Sequence, residues 1–346
     1  MTNTAICGYG YAGRTFHAYL VDRARGLDLT AIATRDPGRQ RAAAQDYPGR
    51  TIYATVDELL ADDSIDLVVF ATPHDTHHDL AIQAMDAGKH VVVDKIMCMN
   101  AYEAQEMIEI SERNGVLLSV FHNRRWDGDY LTVRKVIEDG TLGTPYLFEA
   151  GILSYRAPHG WRGVKAQSGG ILYDWPAHFV DQALQLVPSK VSSVFCPIIY
   201  RDRWQTDIGN YAKLLIRFAN DVLYQIEIGN LAAQGMPRWH VAGDQGALVK
   251  YGLDPQEGAL RQGSIDTAVE DPANRAHVRT AVNGELEELI VDTVPGSWTS
   301  YYQNIADVLN KGEELAVKPA EMLRLMRVYD AAMKSAETGQ VVTLDI

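Results

Sequence analysis

Along the first third of the chain, short apolar runs alternate with stretches whose apolar residues recur at helical spacing. Thr4 to Cys7, Leu27 to Ala33, Thr51 to Ala54, Asp66 to Ala71, His90 to Val93 and Val116 to Phe121 read as strands. Arg14 to Ala24, the alanine-rich stretch around Gln40 to Gln45, Val56 to Ala61, Leu80 to Ala87 and Glu103 to Arg113 read as the helices between them. Gly88 and the pair Asn114-Gly115 supply stops for the last two. Strands that alternate with helices predict right-handed crossovers and a parallel, doubly wound sheet.

The rhythm changes after the sixth strand. One helix, Tyr130 to Glu138, leads to a strand at Tyr146 to Leu153, and a second helix covers Pro176 to Leu186. Strand-like runs then follow with little helix between them: Val191 to Ile199, Tyr211 to Phe218, Leu223 to Ile228, His240 to Ala242, Ala247 to Val249 and Leu289 to Val291. Consecutive strands favour an antiparallel sheet. Two helices close the chain, Tyr301 to Asn310 and Ala320 to Glu337, the second with Met322, Leu325, Met326 and Tyr329 on a core face. The expected division is residues 1–122 as an α/β domain and residues 123–346 as an α+β domain with a large, open, mainly antiparallel sheet. The last helices are expected to pack back on the first domain.

Composition narrows the partners. Lys+Arg 32 against Asp+Glu 45 gives a net charge of -13, which repels phosphate backbones and argues against nucleic acid. The 3 cysteines, Cys7, Cys98 and Cys196, are scattered without CxxC spacing, so neither a disulfide framework nor a zinc site is expected. No apolar run reaches the length a bilayer span needs, and the N-terminus enters a strand at once. A reducing cytoplasm is the expected location.

Between the first strand and first helix, "ICGYGYAG" sets Gly8, Gly10 and Gly13 in G-x-G-x-x-G spacing, with Tyr9, Tyr11 and Ala12 between them. The first glycine permits a tight turn, the second admits a pyrophosphate to the backbone, and the third lets helix and strand pack closely. The phosphates then sit at the positive end of a helix. The end of the second strand chooses the dinucleotide. An acid there would hold the ribose 2′-OH of NAD, but "AIATRDPGR" offers Thr34 and Arg35, a pair suited to a 2′-phosphate. Asp36, one place on, reads equally as the cap of the helix that opens with Pro37. NADP is therefore the preferred cofactor, with NAD the alternative.

Four blocks, "GYGYAGRTFH", "ATPHDTHHDLAIQAMDAGKHVVVDK", "FHNRRWDGDYLTVRKVIEDGTLG" and "SGGILYDWPAHFVDQAL", make the sequence resemble the Gfo/Idh/MocA family, the glucose-fructose oxidoreductase and inositol dehydrogenase group. The third and fourth blocks look closest to the branch containing NADP-dependent scyllo-inositol dehydrogenase. The resemblance implies a Rossmann domain followed by a domain whose open sheet forms homodimers or homotetramers. It also implies hydride exchange between a nicotinamide and the C–OH/C=O carbon of a sugar or cyclitol. The family lysine matches Lys95, and the acid and histidine of its D-x-G-x-H pattern match Asp174 and His178. Thr72, Pro73, His74 and His77 fall in the loop after the fourth strand, beside the cofactor, as do Asp94, Lys95 and Asn123 at the ends of later strands. Tyr155, Trp161 and Arg162, in "YRAPHGWRG", fall near the nicotinamide and join Lys95, Asp174 and His178 as substrate contacts. Two positions depart from the pattern: Ile96 replaces the proline after the lysine, which points to a remodelled "IMCMN" loop, and Pro176 replaces the glycine.

Chemistry supports the lysine independently, because ligands of open α/β sheets lie beyond the carboxyl ends of the strands. Hydride removal from a secondary alcohol requires loss of its hydroxyl proton, which a desolvated amine can take, and an ammonium can polarise the carbonyl in reverse. Asp94 orients the lysine, contacts the cofactor, or caps the next segment. His178 is expected to serve as the acid/base relay, with Asp174 binding a neighbouring hydroxyl or orienting the base; without the resemblance they read as a core histidine and a helix cap. Pro176 should push Trp175 out of helical geometry. The histidines of "HDTHHD" suggest a metal, but a loop beside the cofactor explains them and none is expected. Two other functions use the same scaffold: a glycosidase with transient oxidation, elimination and reduction, and a non-catalytic dinucleotide sensor.

Overall fold

The computed structural model describes every residue, Met1–Ile346. The chain forms two compact units, Met1–Asn123 with Trp298–Leu323, and Arg124–Ser297 with Arg324–Ile346.

In the first unit the elements run β1 (Thr2–Cys7), α1 (Tyr19–Arg23), β2 (Leu27–Ala33), α2 (Pro37–Asp46), β3 (Thr51–Tyr53), α3 (Val56–Leu60), β4 (Leu67–Phe70), α4 (His77–Asp86), β5 (His90–Val93), α5 (Ala101–Asn114) and β6 (Leu118–Val120). A wide helical segment, Gly13–Ala18, leads into α1. The six strands are parallel in the order β3-β2-β1-β4-β5-β6, so chain direction across the sheet reverses between β1 and β4. Leu67, Val68, Val69 and Phe70 are wholly buried, as the continuous apolar runs require of strands covered on both faces. Cys7 pairs with Ala33 and Phe70, Phe70 with Val93, and Val93 with Val120. The strands therefore end level, and the residues after them leave along one edge. The local signals act as written: Asp36 caps α2 through the Arg39 N–H, Thr55 and Glu58 form a capping box on α3, and Gly115 ends α5 in a left-handed conformation.

The second unit continues with α6 (Gly128–Glu138), β7 (Pro145–Leu153), α7 (Lys165–Ser168), α8 (Pro176–Leu186), β8 (Val191–Phe195), β9 (Ile198–Ile199), β10 (Tyr211–Phe218), β11 (Leu223–Gly229), β12 (Trp239–Gly243), β13 (Gly246–Lys250), α9 (Gln256–Arg261), β14 (Ala276–Val282) and β15 (Glu285–Val291). α10 (Thr299–Lys311) belongs to the first unit, α11 (Pro319–Thr338) crosses the division, and β16 (Val342–Thr343) ends the second. The second sheet runs β15-β14-β13-β12-β7-β11-β10-β8-β16, with β9 beside β10; only the β7–β11 pairing is parallel. Alternation sets its two faces. Phe148, Leu214, Ile216, Tyr224, Ile226, Val241 and Leu248 are buried under α6 and α8, while Leu147, Leu215, Leu223 and Val249 on the other face stay partly exposed. Trp239 anchors the buried face, its indole N–H donating to Asp129 of α6 at 3.0 Å.

Several elements escape the hydrophobic pattern. The run read as one strand over Val191 to Ile199 is two, β8 and β9. The hairpin β14–β15 extends well before Leu289, because "ELEELIV" lies at the sheet edge, where both faces meet solvent and no alternation is needed. Trp175 is helical, with φ -59° and ψ -41°, against the expectation from the following proline. No helix is long and apolar enough to cross a membrane.

Candidate active site

The carboxyl edge of the first sheet is built around the reversal point between β1 and β4. Gly8 has φ +98°, and a Cβ there would stand 2.4 Å from the Ala71 carbonyl oxygen, so both conformation and space demand glycine. A Cβ on Gly13 would meet the Gly8 carbonyl oxygen at 1.8 Å, which closes the helix onto β1. Gly10 differs: the nearest atom to its hypothetical Cβ is Arg39 Nη1 at 3.7 Å. The chain leaves that backbone open, and Gly10, just ahead of the helical residues that begin at Tyr11, has no side chain with which to cap them. An open glycine before an uncapped helix start fits a pyrophosphate. The Tyr9 ring is buried and its hydroxyl donates to Asp46 at 2.8 Å, a carboxylate that also takes Arg14 at 2.7 and 3.0 Å. Tyr9 thus offers a ligand only its main chain, while Tyr11 is 43% exposed.

At the end of β2, Thr34 is buried and Arg35 exposed. The Asp36 carboxylate accepts the Arg39 N–H at 2.8 Å, and that bond is the first cause holding it below the usual carboxylate range. It serves as the cap of α2. Arg39, which no sequence motif singled out, brings a second guanidinium to the glycine loop.

Thr72, Pro73, His74 and His77 follow β4, and His74 and His77 are buried. Burial pushes the His77 imidazole down in pKa, so it is neutral near pH 7. Its Nδ1 stands 2.8 Å from the Ile96 carbonyl and its Nε2 3.1 Å from the Thr72 carbonyl, so the ring ties the loop after β5 to the loop after β4. Asp94 and Lys95 sit at the tip of β5, both partly exposed. Asp94 accepts the Lys95 main-chain N–H at 2.8 Å. Burial opposes its ionisation, yet His17, Lys95 and His77 together hold the carboxyl below the ordinary range, so it is an anion at neutral pH. The Lys95–Ile96 peptide is cis, and Ile96, Met97 and Cys98 are buried. Asn123 ends the unit after β6, buried. Burial pushes the thiol of Cys7, below the glycine loop, up to about 12, so it is no nucleophile.

In the second unit, Gly169 and Gly170 have φ +83° and +108° and turn the chain into the segment before α8. Asp174 precedes the helix and His178 lies in its first turn, 5% exposed. Arg162 reaches toward Asp174, Nε to Oδ1 3.9 Å, with its guanidinium 4.4 Å from the Trp161 ring centroid. The Trp175 ring stands edge-on to His178 at 6.2 Å and carries Arg124 on its face at 4.1 Å. Arg125 grips Asp181 through two bonds of 2.8 and 2.6 Å and fixes α8. Trp161, Arg162 and Asp174 therefore share one neighbourhood, and His178 follows in the first turn of α8. Tyr155 points elsewhere: its ring packs on Trp204 at 5.6 Å and its hydroxyl accepts from Arg203 at 3.2 Å. No group of three or more His, Cys, Asp or Glu side chains could hold a metal ion.

Residues 2–122 match the model of an oxidoreductase family with an NAD-binding Rossmann fold, and residues 130–249 match the GFO/IDH/MocA C-terminal domain. The oxidoreductase YdgJ of Escherichia coli K12 is 37% identical over 338 residues, covering 96% of this chain and 95% of the relative. The chain belongs to the Gfo/Idh/MocA family. Within it, the scyllo-inositol 2-dehydrogenase (NADP(+)) IolW of Bacillus subtilis is 30% identical over 350 residues, covering 98% of this chain and 95% of that one. Among solved structures of the fold, the oxidoreductase yvaA of Bacillus subtilis superposes with a TM-score of 0.92 at 29% identity, over 99% of this chain and 98% of that one. This Gfo/Idh/MocA chain is an NAD(P)-dependent oxidoreductase.

Proposed function

We propose that the enzyme moves a hydride between NADP and the secondary alcohol or ketone carbon of a cyclitol or sugar, with Lys95, Asp174 and His178 as its reacting side chains. The observation that carries this reading is Lys95 at the tip of β5, its main chain fastened to an anionic Asp94, on the same strand edge as an open glycine loop. The nicotinamide, when bound, supplies the carbon that takes or gives hydride. The protein's own task is the proton. Lys95 takes it from the hydroxyl during oxidation and returns it during reduction, with His178 as the relay to solvent. Asp174 accepts from an adjacent hydroxyl, and the Trp161–Arg162 pair offers an apolar ring face with polar tips, which suits a polyol ring. The named activity of the relative IolW supports this substrate class. The test is a spectrophotometric screen of scyllo-inositol, myo-inositol, aldoses and glycosides with both cofactors. Net NADPH appearance or loss on a polyol is expected; glycoside cleavage with no net absorbance change would overturn the reading, as would tight dinucleotide binding without turnover.

NADP preference follows from the end of β2. With Asp36 engaged as a cap, Arg35 and Arg39 remain to meet a 2′-phosphate by charge-assisted bonds. Replacing both by serine should raise the dissociation constant for NADPH about 100-fold and change that for NADH by less than about threefold. Fluorescence titration of both nucleotides checks this, and equal loss for the two would remove the assignment. The open face of the second sheet, with Ile290 60% and Leu286 63% exposed near its edge, suits association of copies of the chain as a homo-oligomer. The three buried cysteine thiols agree with a cytoplasmic location.

A further inference from the structure

Behind the Asp94–Lys95 tip lies a buried polar chain that the reaction as described does not use. His17, on the wide helical segment after the glycine loop, and Tyr302, on α10, are both completely buried. The Tyr302 hydroxyl lies 2.6 Å from His17 Nδ1. The other ring nitrogen, Nε2, has no hydrogen-bond partner and stands 3.6 Å from Asp94 Oδ1, the oxygen that accepts the Lys95 main-chain N–H. Phe121 leans on the imidazole at 4.4 Å and stacks on Tyr302 at 5.6 Å, so both rings are fixed in place.

Packing alone does not ask for histidine at this place. A phenylalanine would fill the same aromatic cluster without burying two ring nitrogens, one of them unpaired. With the Tyr302 O–H donating to Nδ1, the ring N–H falls on Nε2, the nitrogen that faces the Asp94 carboxylate. At 3.6 Å the last contact is longer than a hydrogen bond and closes with a movement of a few tenths of an ångström. The other charged or titratable groups around Asp94 are Lys95 and His77, and both His77 nitrogens already face main-chain carbonyls.

We propose that His17, oriented by Tyr302, is a positioning residue: it steadies the Asp94 carboxylate and, through the Lys95 main-chain N–H on the same oxygen, sets the direction in which Lys95 leaves β5. The inference rests on the reading of Lys95 as the group that handles the proton. Loss of His17 then misaims the amine without touching the nucleotide's phosphate site or the polyol. His17→Phe should lower kcat about 30-fold while KM for the polyol and the NADPH dissociation constant stay within about threefold. His17→Gln, whose amide can still donate to Asp94, should recover most of that loss, and Tyr302→Phe should lower kcat about fivefold. A kcat for His17→Phe within about twofold of the parent overturns the inference, as does a loss that glutamine does not restore. Should His17→Phe fail to fold, an unchanged kcat in Tyr302→Phe overturns it. Lys95→Met in the same assay separates the two readings: an inactive Lys95→Met beside a fully active His17→Phe sinks this inference alone, whereas an active Lys95→Met sinks the function it rests on.

Discussion

Lys95→Met should lose about 1,000-fold or more in kcat while binding NADPH with a dissociation constant within about threefold of the parent. Methionine keeps much of the length and flexibility of the lysine stem, so it fills the same space and removes only the ammonium. What is lost is the group that takes the hydroxyl proton as hydride leaves, a role that general acid-base catalysis values at about 100- to 10,000-fold. Nucleotide affinity should survive because its sources lie on other strands, in the glycine loop after β1 and in Arg35 and Arg39 after β2. Stopped-flow hydride transfer and fluorescence titration together check the pair of outcomes. Turnover at the parent rate would end the assignment of Lys95. Equal loss of turnover and nucleotide binding would show that its ammonium serves the nucleotide instead.

Much of the first unit was legible because its signals are local. The doubly wound order, the G-x-G-x-x-G turn, the Asp36 cap and the Gly115 stop each act over a few residues, and each appears where the pattern puts it. The second sheet was legible where one face is buried, as in β10 and β11, whose alternation is clean. It was illegible at the edge. β15 is exposed on both faces, so its residues carry no period. A signal did exist there: Asn283 and Gly284 have φ +53° and +88°, the paired positive φ of a two-residue hairpin turn, and the Asn-Gly dipeptide announces it.

The site was legible in the same uneven way. Residues on a motif, such as Gly8, Gly13 and Lys95, could be named from spacing and resemblance. His17 and Tyr302 could not be paired, because 285 positions separate them and only the return of α10 to the first unit brings the hydroxyl to the imidazole. Arg39 sits in the first turn of α2, where a basic residue ordinarily means solvated surface; its nearness to Gly10 appears only in three dimensions. Tyr155 shows the opposite case. Its loop belongs with Trp161 and Arg162 in sequence, but its ring and hydroxyl are taken by Trp204 and Arg203.

Two glycines of one motif should fail in different ways when given a methyl group. In Gly13→Ala the new Cβ would overlap the Gly8 carbonyl oxygen at 1.8 Å and press on Ala71 at 3.4 Å. Both neighbours belong to the tightest part of the sheet and helix packing, so the helix must lift off β1. The expected cost is above about 3 kcal/mol, seen as a large fall in the unfolding midpoint, with dinucleotide binding lost as a consequence. In Gly10→Ala the methyl meets only Arg39 Nη1 at 3.7 Å, an ordinary contact with the end of a flexible side chain. The fold should be kept, with the midpoint shifted by no more than about 2 °C. Yet NADPH should bind at least about 30-fold more weakly, because the methyl occupies the space a pyrophosphate needs to reach the backbone. Calorimetry and titration on the two variants separate the structural glycine from the one kept for a ligand. If Gly10→Ala bound NADPH as the parent does, the opening at Gly10 would be mere loop surface, and the glycine loop would lose its claim to the phosphates.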